Sequence, residues 1–202
     1  MERLSENPDI VLVGHPLLFQ IQPSVSPDDL TSETFQHNLE ILKASQLTMN
    51  GVGIAAPQLG WAARVITFGI PAKNPRYPDA DAHPVECWIN PEIVWASEEK
   101  VWTWEGCLSV PGFRGWVERP EAIRLIGLDR NGQPKEKELD GFMARVVQHE
   151  LDHLDGRLYP SRVRSPEWMV PLPCFEQQDS WVENWPTAGA HKTRPGGISS
   201  QP

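Results

Sequence analysis

Residues 148–156 read QHELDHLDG, and the spacing of His149, Glu150 and His153 within them organises everything around them. On a helix, side chains four apart share a face, so His149 and His153 point the same way. Glu150, directly after the first histidine, sits beside that pair, where it can handle the proton of a metal-activated water. Two histidines alone hold a catalytic ion poorly, so a third donor must come from elsewhere in the chain.

The surrounding pattern supports the helix. From about Gly141 to Leu154, Phe142, Val146, His149 and His153 fall on one stripe, and Met143, Val147, Leu151 and Leu154 on another. A helix apolar on most sides is a buried one, which turns the histidines into the protein. Upstream, RVITFGI (64–70) and CWINPEIVWA (87–96) read as strands flanking a Pro- and Asp-rich loop, and 122–139 reads as two strands about an Asn131-Gly132 turn. Near the N-terminus, Ser26, Pro27, Asp28 and Asp29 make a helix start. Phe35, Leu39 and Leu42 follow at helical spacing, which predicts one amphipathic helix. The plan is α+β, with one buried helix near the end.

The chain has 202 residues, 40% hydrophobic, enough for one domain with a sizeable core. A formal charge of −9 argues against a nucleic-acid or anionic-membrane surface. The N-terminus MERLSENPDI lacks a signal-peptide apolar core, and no apolar run approaches a membrane span. Three cysteines, Cys87, Cys107 and Cys174, suit a reducing cytoplasm and the role of ligand, nucleophile or core filler. These features predict a cytoplasmic protein; a monomer is expected, although nothing in the sequence fixes the oligomeric state. Composition changes near the end: residues 1–170 read as the catalytic domain, and 171–202 as a Pro/Gly/Ser-rich tail expected to be largely disordered.

Four sources of the third ligand compete. A metzincin would continue to a third histidine, but Tyr159 stands there. A thermolysin-like site would use Glu167 or Glu176, both in or next to the non-periodic C-terminal stretch. His15, His37 and His83 have no local context of a ligand. Cys107, in WEGCLSVPG (104–112), is favoured: a thiolate adds negative charge to a two-histidine site, and Glu105, Gly106 and Ser109 are unusual company for a core cysteine. Another motif, GVGIAAPQLG (51–60), matches a loose dinucleotide fingerprint, yet a helix-like segment precedes it and Pro57 interrupts any helix it would open.

Taken together and in this order, GVGIAAPQLG, EGCLS (105–109) and QHELDH (148–153) resemble the three signature motifs of the peptide deformylases, with INPEI and VPGFRG also fitting. The resemblance spans most of residues 10–165. It implies mostly antiparallel sheets around the motif helix, and a divalent ion, Fe(2+) in the common case with Zn(2+), Ni(2+) or Co(2+) able to use the same donors, held by Cys107, His149 and His153. It implies removal of the formyl group from N-formylmethionyl peptides emerging from the ribosome. Activated water would be the nucleophile, Glu150 the general base and acid, and Gln58 with the Leu108 N–H the oxyanion donors. Ile54, Val146 and His149 would line the methionine pocket, with Gly53, Gly112 and Arg114 near the peptide; Arg145, between apolar stripes, also reads as an ion-pairing residue. The chain departs from the family at His15, where an acid is usual, and in a tail without the basic helix some members dock on the ribosome. A metallopeptidase of another type, or a non-catalytic metal-binding protein, are the alternatives; intact Glu150 and Gln58 speak against the latter.

Overall fold

A computed structural model describes residues 2–77, 80–188 and 190. Its helices are α1 (Pro27–Leu30), α2 (Glu33–Thr48), α3 (Gly141–Leu154) and α4 (Leu172–Phe175). The strands are β1 (Gly53–Ala55), β2 (Val65–Ile70), β3 (His83–Ala96), β4 (Lys100–Cys107), β5 (Val110–Pro120), β6 (Ala122–Leu128), β7 (Pro134–Asp140) and β8 (Met169–Pro171). They form a five-stranded sheet in the order β1-β2-β3-β6-β7 and a three-stranded sheet β4-β5-β8, with every pairing antiparallel. The α+β expectation holds. Helix α3 packs against β1, β2, β6 and β7 of the large sheet and against β5 of the small one. Met143, Val147, Leu151 and Leu154 enter the core with Ile66, Phe68 and Trp88.

The helix expected from Ser26 is two helices. Ser26 makes a capping box with Asp29 for the single turn α1, as its sequence signals. Ser32 then accepts from the Phe35 N–H at 3.1 Å and caps α2 afresh, because a serine hydroxyl competes with the helical ladder for backbone donors. Phe35, Leu39 and Leu42 are buried on α2 against Ile54 and Val65, as their spacing requires.

The described residues of the C-terminal segment, 171–188 and 190, lie against the small sheet. Strand β8 extends the small sheet by pairing Gly115 with Met169 and Phe113 with Pro171. The chain then lays Phe175, Trp181 and Trp185 on Trp104, with ring centroids 5.4, 5.6 and 6.4 Å away. Trp104 Nε1 donates to the Ala190 carbonyl at 3.2 Å, and Trp116 Nε1 to Thr187 Oγ1 at 3.0 Å. Periodicity could not reveal this, because the aromatics meet through turns and not along one regular element. Residues 191–202 lie outside the described residues.

Truncation after Pro171 uncovers Trp104 and Trp116, each 2% exposed. Burial of a large side chain contributes about 1.5–3 kcal/mol, so the truncated protein is expected to melt about 5–10 °C lower, measurable by calorimetry. An unchanged Tm would mean that this apolar face is stable in water without its cover.

Candidate metal centre

The hairpin β4–β5 delivers the third donor. Residues two apart on a strand share a face, so Glu105 and Cys107 both turn toward α3 while Trp102 and Trp104 turn away. There the ligating atoms of Cys107, His149 and His153 all lie within 4.8 Å of one another. Cys107 Sγ is 3.2 Å from His153 Nε2. Gln58, in the 3-10 turn Ala56–Leu59 that follows β1, is held by the Ala55 N–H donating to its Oε1 at 2.9 Å. Its Nε2 consequently faces Ser109 Oγ at 3.1 Å and Cys107 Sγ at 3.5 Å. Glu150 lies against β1 so closely that a Cβ on Gly53 would stand 2.5 Å from its Oε1. Any larger residue there would have to displace the Glu150 side chain.

A buried ion network orients these groups. Glu105 takes Arg119 in a bidentate grip, Nε to Oε1 at 2.6 Å and Nη2 to Oε2 at 2.9 Å. Arg145 Nη1 joins at 2.7 Å, and His149 Nδ1 meets Glu105 Oε2 at 2.9 Å. Fixing Nδ1 on a carboxylate leaves Nε2 for the metal side of the ring. Asp152, between the two histidines in sequence, binds Arg119 at 2.9 Å and also Arg162. Tyr159, where a metzincin would have its last ligand, stacks on the His149 ring at 6.0 Å and 24°.

The electrostatics fit a bound cation. Burial acts to raise the Cys107 thiol, but the neighbouring histidines overcome it and hold it well below its usual range, as a thiolate. Burial also opposes charge on His149, yet Cys107 and Glu105 raise it well above the usual imidazole range. The same anions that retain a proton there would retain a metal ion. Burial in turn would raise Glu105, but Arg119, His149 and Arg145 keep it well below the usual carboxylate range. Glu150, whose Oε2 is buried without a partner, is pushed up to about 7 by burial, against the pull of the histidines. One thiolate, two imidazoles and an unbound carboxylate oxygen beside them match the donor chemistry of an open transition-metal site.

The cavity beside these ligands is lined by Gly53, Gln58, Leu108, Val146 and Glu150, all expected there. Ile54, Gly112 and Arg114 are not among the residues that border this cavity. Ile54 is fully buried with Phe35 and Leu42, because alternate residues of β1 face opposite sides and Gly53 occupies the cavity side. Gly112 forms a positive-φ bend of β5 outside the lining. Arg114 lies against Gly106, its Nη1 only 1.5 Å from where a Cβ would be. Arg145 lines the cavity and is also an ion-pair partner. Sequence reasoning missed Arg119, Asp152, Arg162, Arg76 and Tyr77. Of these only Asp152, inside QHELDH, carried a local signal.

A buried three-donor site with an adjacent carboxylate, on a helix between antiparallel sheets, defines a metal-dependent hydrolase. Residues 8–168 match the sequence model of the family described as polypeptide deformylase. Peptide deformylase 2 of Pseudomonas putida is 45% identical over 156 residues, 77% of this chain and 87% of that protein. Peptide deformylase 1 of Nitrosomonas europaea is 40% identical over 154 residues, 76% of this chain and 86% of that protein. The Met-Ala-Ser-bound crystal structure of class I type b peptide deformylase from Acinetobacter baumannii superposes with a TM-score of 0.73 at 40% identity, covering 80% of this chain and 99% of that one. The chain belongs to the polypeptide deformylase family.

Cys107→Ala is expected to abolish stoichiometric metal binding in elemental analysis, whereas Glu176→Ala, at an exposed position after α4, should leave it intact. The reverse pattern would remove Cys107 from the ligand set. Arg119→Met strands Glu105 and Asp152 without their shared cation and should lower unfolding stability in urea by about 3–5 kcal/mol. A loss under about 1 kcal/mol would show that Arg145 and Arg162 suffice to neutralise both acids.

Proposed function

We propose that this protein hydrolyses the N-terminal formyl group of formyl-methionyl peptides, releasing formate and a free amine. The convergence of Cys107, His149 and His153 beside Glu150 and Gln58 carries this reading. Fe(2+) is the ion proposed, and Zn(2+), Ni(2+) or Co(2+) suit the same thiolate–imidazole set. Held by these three residues, the ion supplies Lewis-acid activation of water and of the formyl carbonyl.

The chain's own groups do the rest. Glu150 accepts the proton of the attacking water and passes it to the leaving nitrogen. A carboxyl pushed up to about 7 is matched to taking and giving a proton near neutrality. Gln58 Nε2 and the Leu108 N–H donate to the oxygen on which charge develops; loss of one such donor costs on the order of 10²–10³ in rate. Strand β1 is at the outer edge of its sheet, and Gly51, Val52 and Gly53 line the cavity, so an extended peptide can pair with that edge. Val146 and Phe142 offer apolar surface for the methionine side chain.

The substrate in the cell would be the nascent chain as it leaves the ribosome, met by a cytoplasmic monomer. The formal charge of −9 and the lack, among the described residues, of any helix long and apolar enough to cross a membrane support that setting.

Glu150→Ala should keep its metal while turnover falls at least about 10²-fold, because a proton carrier is lost and no ligand is. Formyl-Met-Ala-Ser should be cleaved at least about 10² faster in kcat/KM than acetyl-Met-Ala-Ser, since a methyl group overpacks the space closed by Gln58, Leu108 and Glu150. Comparable rates on both, or cleavage of internal bonds in an unblocked peptide, would replace the deformylase reading with a general metallopeptidase.

A further inference from the structure

The loop between β2 and β3 brings a cation to the mouth of the cavity that the chemistry above does not use. Asn74 is its anchor. Only 3% exposed, it donates from Nδ2 to the Asn50 carbonyl at 3.2 Å, next to the 51–60 motif, and accepts the Arg76 N–H on Oδ1 at 2.9 Å. The Tyr77 N–H donates to the Asn74 carbonyl at 3.2 Å, closing a turn. The Tyr77 ring then packs on Phe142, in the first turn of α3, with centroids 5.1 Å apart. Residues 74–77 are thus tied both to the motif that flanks the substrate edge and to the helix that carries the histidines.

Arg76 and Tyr77 both line the cavity that holds Cys107 and Glu150. Arg76 is exposed, whereas Cys107 and Glu150 are buried, so Arg76 stands on the solvent side. Its guanidinium lies 5.9 Å from the Tyr77 ring centroid, and no carboxylate among the described residues pairs with it. The other cation of the cavity, Arg145, is neutralised by Glu105 at 2.7 Å. In a chain of formal charge −9, a positive charge at the cavity mouth that no described carboxylate pairs with favours acidic ligands locally.

We propose that Arg76, presented by the Asn74-anchored loop, is a specificity-determining residue that selects formyl-methionyl peptides with an acidic side chain shortly after the methionine. This rests on the deformylase reading of the same site. Formyl-methionine occupies the buried end beside the metal ligands, and the residues that follow run out past Arg76. An arginine fork pairs with a carboxylate in a bidentate manner, and at an exposed site it contributes a modest preference with strong salt dependence.

The test uses metal-loaded full-length protein and four C-terminally amidated peptides, formyl-Met-Ala-Ser, formyl-Met-Glu-Ser, formyl-Met-Lys-Ser and formyl-Met-Ala-Glu. The wild type should prefer at least one glutamate peptide over the lysine peptide by about 5–10-fold in kcat/KM, through KM, with the gap shrinking in about 0.5 M salt. Arg76→Gln should remove the gap and Arg76→Glu should invert it, while Lys73→Gln, which deletes an exposed charge from the same loop, should preserve it. If Arg76→Gln lowered all four peptides by one common factor, Arg76 would only brace the loop and the proposal would fall. Equal wild-type rates on all four would also overturn it while leaving the deformylase reading standing. Failure to cleave any formyl peptide would overturn both.

Discussion

One buried carboxylate, Glu105, is the point on which the site depends. Its two oxygens serve Arg119, Arg145 and His149 at 2.6–2.9 Å, and its side chain is only 5% exposed. An unpaired charge at that depth would cost several kcal/mol, so the arginines and the carboxylate are each stable there only because of the others. The consequences spread along the chain. Glu105 fixes the strand that bears Cys107, and its grip on His149 Nδ1 fixes the ring of one ligand. Through Arg119 it reaches Asp152, which lies between the two histidines of α3. Both the sulfur-bearing hairpin and the imidazole-bearing helix are therefore registered against one another by charge as well as by packing.

Much of this was legible before any coordinates. The span of α3, the β6–β7 hairpin about Gly132, and the trio Cys107, His149 and His153 follow from periodicity, turn chemistry and donor type. Longer-range features were not. Arg119 reads as an ordinary arginine at the end of a strand, and nothing local reveals that two acids, 14 residues upstream and 33 downstream, close on it. In strand β4 the β-rich run Val101, Trp102, Thr103 and Trp104 leads directly into the ligand motif, so the sequence signal of the strand and that of the site overlap. Ile54 follows Gly53 on β1, and neighbours along an extended chain face opposite sides. Its side chain had to go the other way, into the layer under α2.

The C-terminal segment shows the same limit from the opposite direction. Pro, Gly and Ser content signals a lack of long regular elements, and the described part of 171–190 consists of turns, bends and single-turn helices. Lack of regularity is not lack of order. Leaving a sheet face that bears Trp102, Trp104 and Trp116 in water costs stability, and an irregular strap with Phe175, Trp181 and Trp185 covers it through edge-on and tilted ring contacts.

That strap gives the molecule an optical property of its own. Six of its nine tryptophans gather in one cluster, with neighbouring ring centroids between 4.9 and 6.4 Å apart. Indoles at such separations share excitation, so their emission and near-ultraviolet dichroism report on the cluster as a unit. Trp104 also contributes to the lining of the substrate cavity. Loosening of the strap from the sheet would register in that signal without an added dye.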